Sequence, residues 1–232
     1  GDDEFNARTN TIESAIIDGA GGDADTLNLR MTNGDGDALP AVVEGVERVF
    51  LDGRANTDAG GDMNTSSLDG SAFEGVEEWW SDGSRTDSNV QTRIEDIESL
   101  ATIGMVGAHG NPGAGASEDT TFNPQFDSAV TSANDTVDVV LDSVSSRNST
   151  TQVARDDGST VTGAFEQNFG GLQLEDFQTL NVTTQGDAST LEEINTQDTA
   201  TTLQVSGDSG LTVNNDLDAS VTSIEAGDMT GG

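Results

Sequence analysis

Seven aspartates lie in or beside short glycine-containing turns: Asp2, Asp3, Asp18, Asp23, Asp25, Asp35 and Asp37. The chemistry open to such a set is the capture of a hard divalent cation. Calcium takes about six to eight oxygen ligands, mixing carboxylates, backbone carbonyls and water. Glycine turns let several carbonyls converge on one point. Bound Ca2+ is therefore the expected cofactor, and these seven aspartates are the candidate metal ligands. Taken singly, each also reads as a solvated turn carboxylate, because Asp-Gly turns are common. The run Asn33-Gly34-Asp35-Gly36-Asp37 resembles the first half of an EF-hand loop but has no closing Glu at the required distance, which excludes that motif.

Other chemistries lack their residues. There is no Cys, which removes disulfides, thiolate metal sites and Cys nucleophiles together. The one His, His109, lies in a Gly-rich stretch with no nucleophile phrase beside it. The acid pairs Glu77-Glu78 and Glu192-Glu193 could suggest glycosidase chemistry, but adjacent residues on a strand point to opposite faces and cannot flank one sugar bond. A polysaccharide lyase would need Lys or Arg beside calcium; all eight basic residues are Arg, and they are scattered. No catalytic residue is identified, and the chain is expected not to be an enzyme.

Charge says what must surround such a molecule. There are 43 Asp+Glu against 8 Lys+Arg in 232 residues, a formal net charge of −35. A domain so acidic repels itself. Divalent cations are the first candidate to neutralise it and high external salt the second. With no basic patch, nucleic acid is not an expected partner. No apolar run approaches 18 residues, so no membrane insertion is expected. The hydrophobic fraction, 32%, is low enough to suggest disorder on composition alone. The arrangement of the apolar residues argues otherwise. The chain begins at Gly1 with no cationic, apolar signal region and is expected to be a piece of a longer chain or a processed product.

The elements that must position the aspartates are short strands. Leu27/Leu29, Val137/Val139, Leu172/Leu174, Leu180/Val182, Leu203/Val205 and Leu211/Val213 alternate with polar residues, the period of a half-buried strand. Two stretches read as helical: Arg93 to Met105, where Ile94, Ile97, Leu100 and Ile103 recur every three residues, and Ser71 to Trp80. A phrase of apolar, two mostly acidic residues, apolar recurs at Val46 to Val49, Val76 to Trp79, Ile94 to Ile97, Leu174 to Phe177 and Leu191 to Ile194. Gly45-Val46-Glu47 and Gly75-Val76-Glu77 are 30 residues apart. Imperfect repetition at such spacing implies stacked rungs that share one narrow core. The fold expected is mainly β, a β-solenoid or β-helix-like stack with an irregular, partly helical middle. Its sections are residues 1–103, β-rungs with a short helix; 104–162, an irregular insertion; and 163–232, C-terminal β-rungs. In a rung, one of Trp79 and Trp80 points inward and the other outward. Sequons at Asn64, Asn134, Asn148 and Asn181 fit surface glycosylation.

The succession Gly1-Asp2-Asp3-Glu4-Phe5, Ile17-Asp18-Gly19-Ala20-Gly21-Gly22-Asp23-Ala24-Asp25-Thr26-Leu27-Asn28-Leu29 and Val43-Glu44-Gly45-Val46-Glu47 resembles repeat units of bacterial surface-layer proteins and RTX-type adhesins. The stretch from Leu211 through Val221-Thr222-Ser223-Ile224 to Gly232 is similar to another of their recurring units. The resemblance covers residues 1–53 and 171–232. Set to end on Leu27, the strict calcium nonapeptide keeps Gly21, Asp25 and Leu27, while Ala20 and Asp23 stand in place of two glycines. Tandem nonapeptides are absent, so scattered calcium sites in a sheet stack are expected rather than a full β-roll. The resemblance implies a secreted, cell-surface structural subunit that self-associates with calcium into a lattice or filament. The alternative is a calcium-dependent adhesin module that binds cell-surface polysaccharide, with Trp79 or Trp80 as stacking platform.

Overall fold

The computed structural model describes residues 1–8, 12, 15–22, 24–32, 42–54, 64–82, 90–107, 120–144 and 171–230. In chain order the strands are β1 (Glu4–Arg8), β2 (Ile16–Asp18), β3 (Thr26–Thr32), β4 (Val42–Glu44), β5 (Arg48–Arg54), β6 (Asn64–Asp69), β7 (Phe73–Glu74), β8 (Glu78–Asp82), β9 (Val90–Ile97) and β10 (Thr102–Val106). They continue as β11 (Thr120–Phe126), β12 (Thr136–Asp142), β13 (Gly171–Gln173), β14 (Thr179–Gln185), β15 (Ser189–Leu191), β16 (Glu193–Asn195), β17 (Thr202–Gly207), β18 (Leu211–Val213) and β19 (Ser223–Met229). A short helix, α1 (Ser128–Ala133), is capped by the Asp127 carboxylate, which accepts from the Ala129 N–H at 2.6 Å.

The chain is mainly β, and its sheets are parallel. Nine strands form one sheet in the order β1-β3-β5-β8-β10-β12-β14-β17-β19, so they join it in chain order. The crossovers between them run through strands of smaller sheets: β2-β4-β7, β6-β9-β11-β13-β16 and β15-β18. Register is kept across the long sheet, and so is the alternation read from the sequence. Leu27, Val49, Trp79, Ile103, Val139, Val182 and Val205 lie side by side as one buried column. Leu29, Leu51, Ser81, Met105 and Leu141 make a second. Facing them, Thr92, Phe122, Leu172 and Ile194 form the inward column of the five-stranded sheet. All these apolar residues belong to one core. Each fully buried Val or Leu contributes about 1.5–3 kcal/mol, so a narrow core suffices despite the low apolar content.

The corners account for the recurring phrase at four of its five places. Gly45 and Gly75 have φ of 62° and 89°, and Asp96 and Asp176 have φ of 53° and 68°. Each turns the chain through the left-handed region and is followed by a buried plug: Val46, Val76, Ile97 and Phe177. This corrects the two helix expectations. Arg93 to Met105 is the end of β9, a left-handed corner and β10; Ile94, Ile97 and Ile103 are buried, but Leu100 is 46% exposed. Ser71 to Trp80 is a single 3-10 turn (Gly70–Ala72) followed by β7 and β8. The described part of 104–162, expected to be irregular, carries the end of β10, then β11, α1 and β12, all of whose strands lie in the two larger sheets.

Candidate cation site at the first corner

The corner that leads into the long sheet is a column of its own. The Asp3 carbonyl accepts from Thr26 N–H (2.9 Å), that of Asp25 from Arg48 N–H (3.1 Å), and that of Glu47 from Glu77 and Glu78 N–H (2.8 and 2.9 Å). In the first rungs the side chains reach back as well. The Asp25 carboxylate accepts from the Asp3 N–H at 2.5 Å, and the Glu47 carboxylate accepts from the Asp25 N–H at 2.7 Å. Each acid therefore caps the residue 22 positions before it.

Asp25 is completely buried. Its Oδ1 is held by Asp3, but its Oδ2 is buried with no hydrogen-bond partner. An unsatisfied buried polar atom costs about 1–3 kcal/mol, and more when it carries charge. Arg48 does not relieve it: its guanidinium donates to the Ala24 carbonyl at 2.9 Å, and among the described residues no ion pair joins it to Asp25.

What surrounds Oδ2 is backbone. A Cβ on Gly19 would collide with the Gly45 carbonyl oxygen and lie 2.6 Å from Asp25 Oδ2. A Cβ on Gly22 would lie 2.7 Å from the Gly1 carbonyl oxygen and 2.7 and 2.9 Å from the two Asp25 oxygens. Both glycines thus form a close-packed cradle with no room for a side chain. The oxygens around it are a buried carboxylate and the carbonyls of Gly45 and Gly1, a hard set of the kind calcium takes. These residues fit a bound cation: Asp25 as the charged ligand, the two carbonyls beside it, and Glu47 fixing Asp25 from behind.

The expected ligands divide. Asp25 is central. Asp3 contributes its backbone, and its side chain is exposed. Asp18 is exposed and accepts from the Ala20 N–H at 2.8 Å, which shapes the 18–22 turn. Asp2 is exposed. Asp23, Asp35 and Asp37 lie outside the described residues, as does His109. Among the described residues no three Asp, Glu or His side chains converge as a metal cluster, so any cation here depends on carbonyls. Glu47 was missed as a partner; its signal is the equal spacing of Asp3, Asp25 and Glu47.

Trp79 is buried and packs edge-on against Phe73, ring centroids 5.0 Å apart, while Trp80 faces outward. The Glu78 carboxylate accepts from Trp80 Nε1, and that of Glu192 from Asn214 Nδ2. Sequon amides Asn134 and Asn181 donate to the Val130 carbonyl and to Asp138. No protein-family model, no curated protein and no solved structure matches the chain.

Proposed function

We propose that the chain is a stretch of β-solenoid that serves as a structural subunit, or part of one, in an extracellular surface layer or filament, folded and assembled with calcium. The observation that carries this reading is the Asp25 carboxylate, buried with one oxygen unpartnered inside a glycine cradle. A net charge of −35 supplies the general need for cations, and the corner supplies a place for one. The solenoid reading is supported by nine parallel strands that enter one sheet in chain order, with smaller sheets between them. Self-association is supported by the sheet's edges. Among the described residues β1 and β19 each pair on one side only, and such an edge takes a further strand, whether from a continuation of the chain or from another copy. On β19, Ile224 continues the buried column of Val137, Leu180 and Leu203, yet is 62% exposed. A secreted, cell-surface setting follows from the same reading, since free calcium is plentiful there.

The test is unfolding by urea in CaCl2, in chelator and in NaCl of matched ionic strength. Calcium at a hundred times its Kd is expected to add about 2.7 kcal/mol, and NaCl much less. Asp25→Asn should reverse the order. Without calcium, the neutral amide removes the unpaired buried carboxylate, so the variant is as stable as the parent or more so. With calcium it is the less stable of the two. Electron microscopy with and without calcium then reads assembly, which chelation should dissolve. If chelator leaves both folding and assembly untouched, the calcium mechanism is wrong.

A further inference from the structure

A groove of about 640 Å³ lies on the outer face of the long sheet, over β1, β3 and β5 and as far as Asp82 of β8. Its volume is within the usual range for small-ligand sites, about 300–1,000 Å³. Phe50 forms one wall. In register across the sheet, Phe50 stands between Asn28 and Trp80, and Asn28 is next to Asn6. The Phe50 and Trp80 rings are stacked, with centroids 5.6 Å apart and planes 12° apart. Trp80 is itself fixed. Its Nε1 donates to Glu78 at 2.7 Å, and its ring fills the space over Gly104, where a Cβ would collide with ring carbons. Trp80 thus backs Phe50 on the β8 side, while the groove opens on the β3 side. The floor is amide: Asn28 Nδ2 donates to Glu4 at 2.9 Å and to Asn6 at 3.4 Å. Along the next outward column Arg8, Arg30 and Asp52 are register partners, so two of the eight arginines stand side by side. Asp52 and Asp82 line the groove with them, and Arg30 is exposed there.

From this lining we infer that the groove binds a pyranose-containing oligosaccharide. A flat aromatic face attracts the C–H face of a sugar ring through its quadrupole. Side-by-side amides offer both donors and acceptors to sugar hydroxyls. An arginine reads paired oxygens, whether vicinal hydroxyls or a carboxylate. A wall already stacked on its inner side and a floor already hydrogen-bonded need little reordering on binding, which favours affinity. The site is independent of the Asp25 corner, and it replaces the Trp79-Trp80 platform with Phe50, backed by Trp80.

The experiment presents the full 232-residue chain, in calcium buffer, to an array of neutral and uronate-bearing oligosaccharides, followed by titration of the hits. Phe50→Leu keeps apolar volume and removes the flat face; it should weaken binding about tenfold. Thr183→Ala, on the same face but outside the groove, should leave it unchanged, and circular dichroism should show all variants folded. Arg30→Gln separates the two ligand arms: loss confined to uronate glycans marks an acidic sugar, and little change with neutral glycans marks a neutral one. No hit on the array, or hits that bind Phe50→Leu and Arg30→Gln as tightly as the parent, overturns the assignment.

Discussion

Asp25 and Asp218 do the same job at opposite ends of the ladder with different completeness. Each carboxylate reaches back 22 residues to cap the rung before it. Asp218 Oδ2 accepts from both the N–H and the hydroxyl of Thr196, each at 2.6 Å. Asp25 Oδ1 accepts from the Asp3 N–H, and its Oδ2 is buried alone. The late corners combine Asp218 with neutral groups: Gln178 and Thr201 supply carbonyls, and buried Thr184 donates to the Ser209 carbonyl at 2.6 Å. The early corner is built from acids and glycines. The same carboxylate cap is therefore satisfied where Asp218 Oδ2 meets both donors of Thr196, and incomplete where Asp25 Oδ2 is buried alone. Among the described corners the proposed cation concerns the first, and the two ends should respond differently to the same changes.

The largest expected difference is between two turn glycines. At Gly19 a Cβ collides with the Gly45 carbonyl, and neither group can yield without moving the corner. At Gly210 a Cβ meets only the Ala188 Cβ, at 3.7 Å, an ordinary contact. Gly19→Ala is expected to cost about 3 kcal/mol; Gly210→Ala should stay within about 0.5 kcal/mol of the parent. Urea midpoints measure both. Equal losses would show that the first corner is no more tightly packed than the last.

Next in size is Asp218→Ala. It removes two hydrogen bonds and strands the Thr196 N–H, on a residue only 2% exposed. The expected cost is about 2 kcal/mol, the same in calcium and in chelator. A calcium-dependent cost at Asp218 would break the contrast with Asp25, because the cation would then not be confined to the first corner.

How far the sequence foretold this contrast depends on where the strict alternation holds. Pairs such as Leu27/Leu29 and Leu180/Val182 are strand interiors, and alternation located them. It failed at the corners. A left-handed residue such as Asp96 adds a step between buried neighbours, so Ile94 and Ile97 are three apart and imitate a helix. Gly75 does the same between Phe73 and Val76. The proposed cation site rests on Asp25, one of the seven aspartates the sequence offered without ranking them. What singles it out is burial, which depends on Glu47 and Gly45 arriving from the next rung 22 residues on. Phe50 was missed because an outward aromatic on a strand looks like any other strand residue until its register with Trp80 and Asn28 is known.

The smallest effect tests whether strain also differs between the corners. Ala20 turns with φ of 53°, and Asp176 with φ of 68°. Left-handed backbone costs an alanine about 1–2 kcal/mol, while Asp visits that region more readily because its side chain can bond locally. Gly removes the strain but loses about 0.4–1 kcal/mol through the unfolded chain. Ala20→Gly should therefore stabilise by about 0.5 kcal/mol, and Asp176→Gly should be neutral or slightly destabilising. The Asp18 carboxylate holds the Ala20 N–H in either case, so the turn keeps its form and the comparison isolates the backbone. Closely spaced urea titrations in calcium buffer resolve a shift of this size. A gain at Ala20 with none at Asp176 would place the strain, like the unpartnered oxygen, at the first corner. Equal shifts would leave the Asp25 carboxylate as the whole of the difference between the two ends.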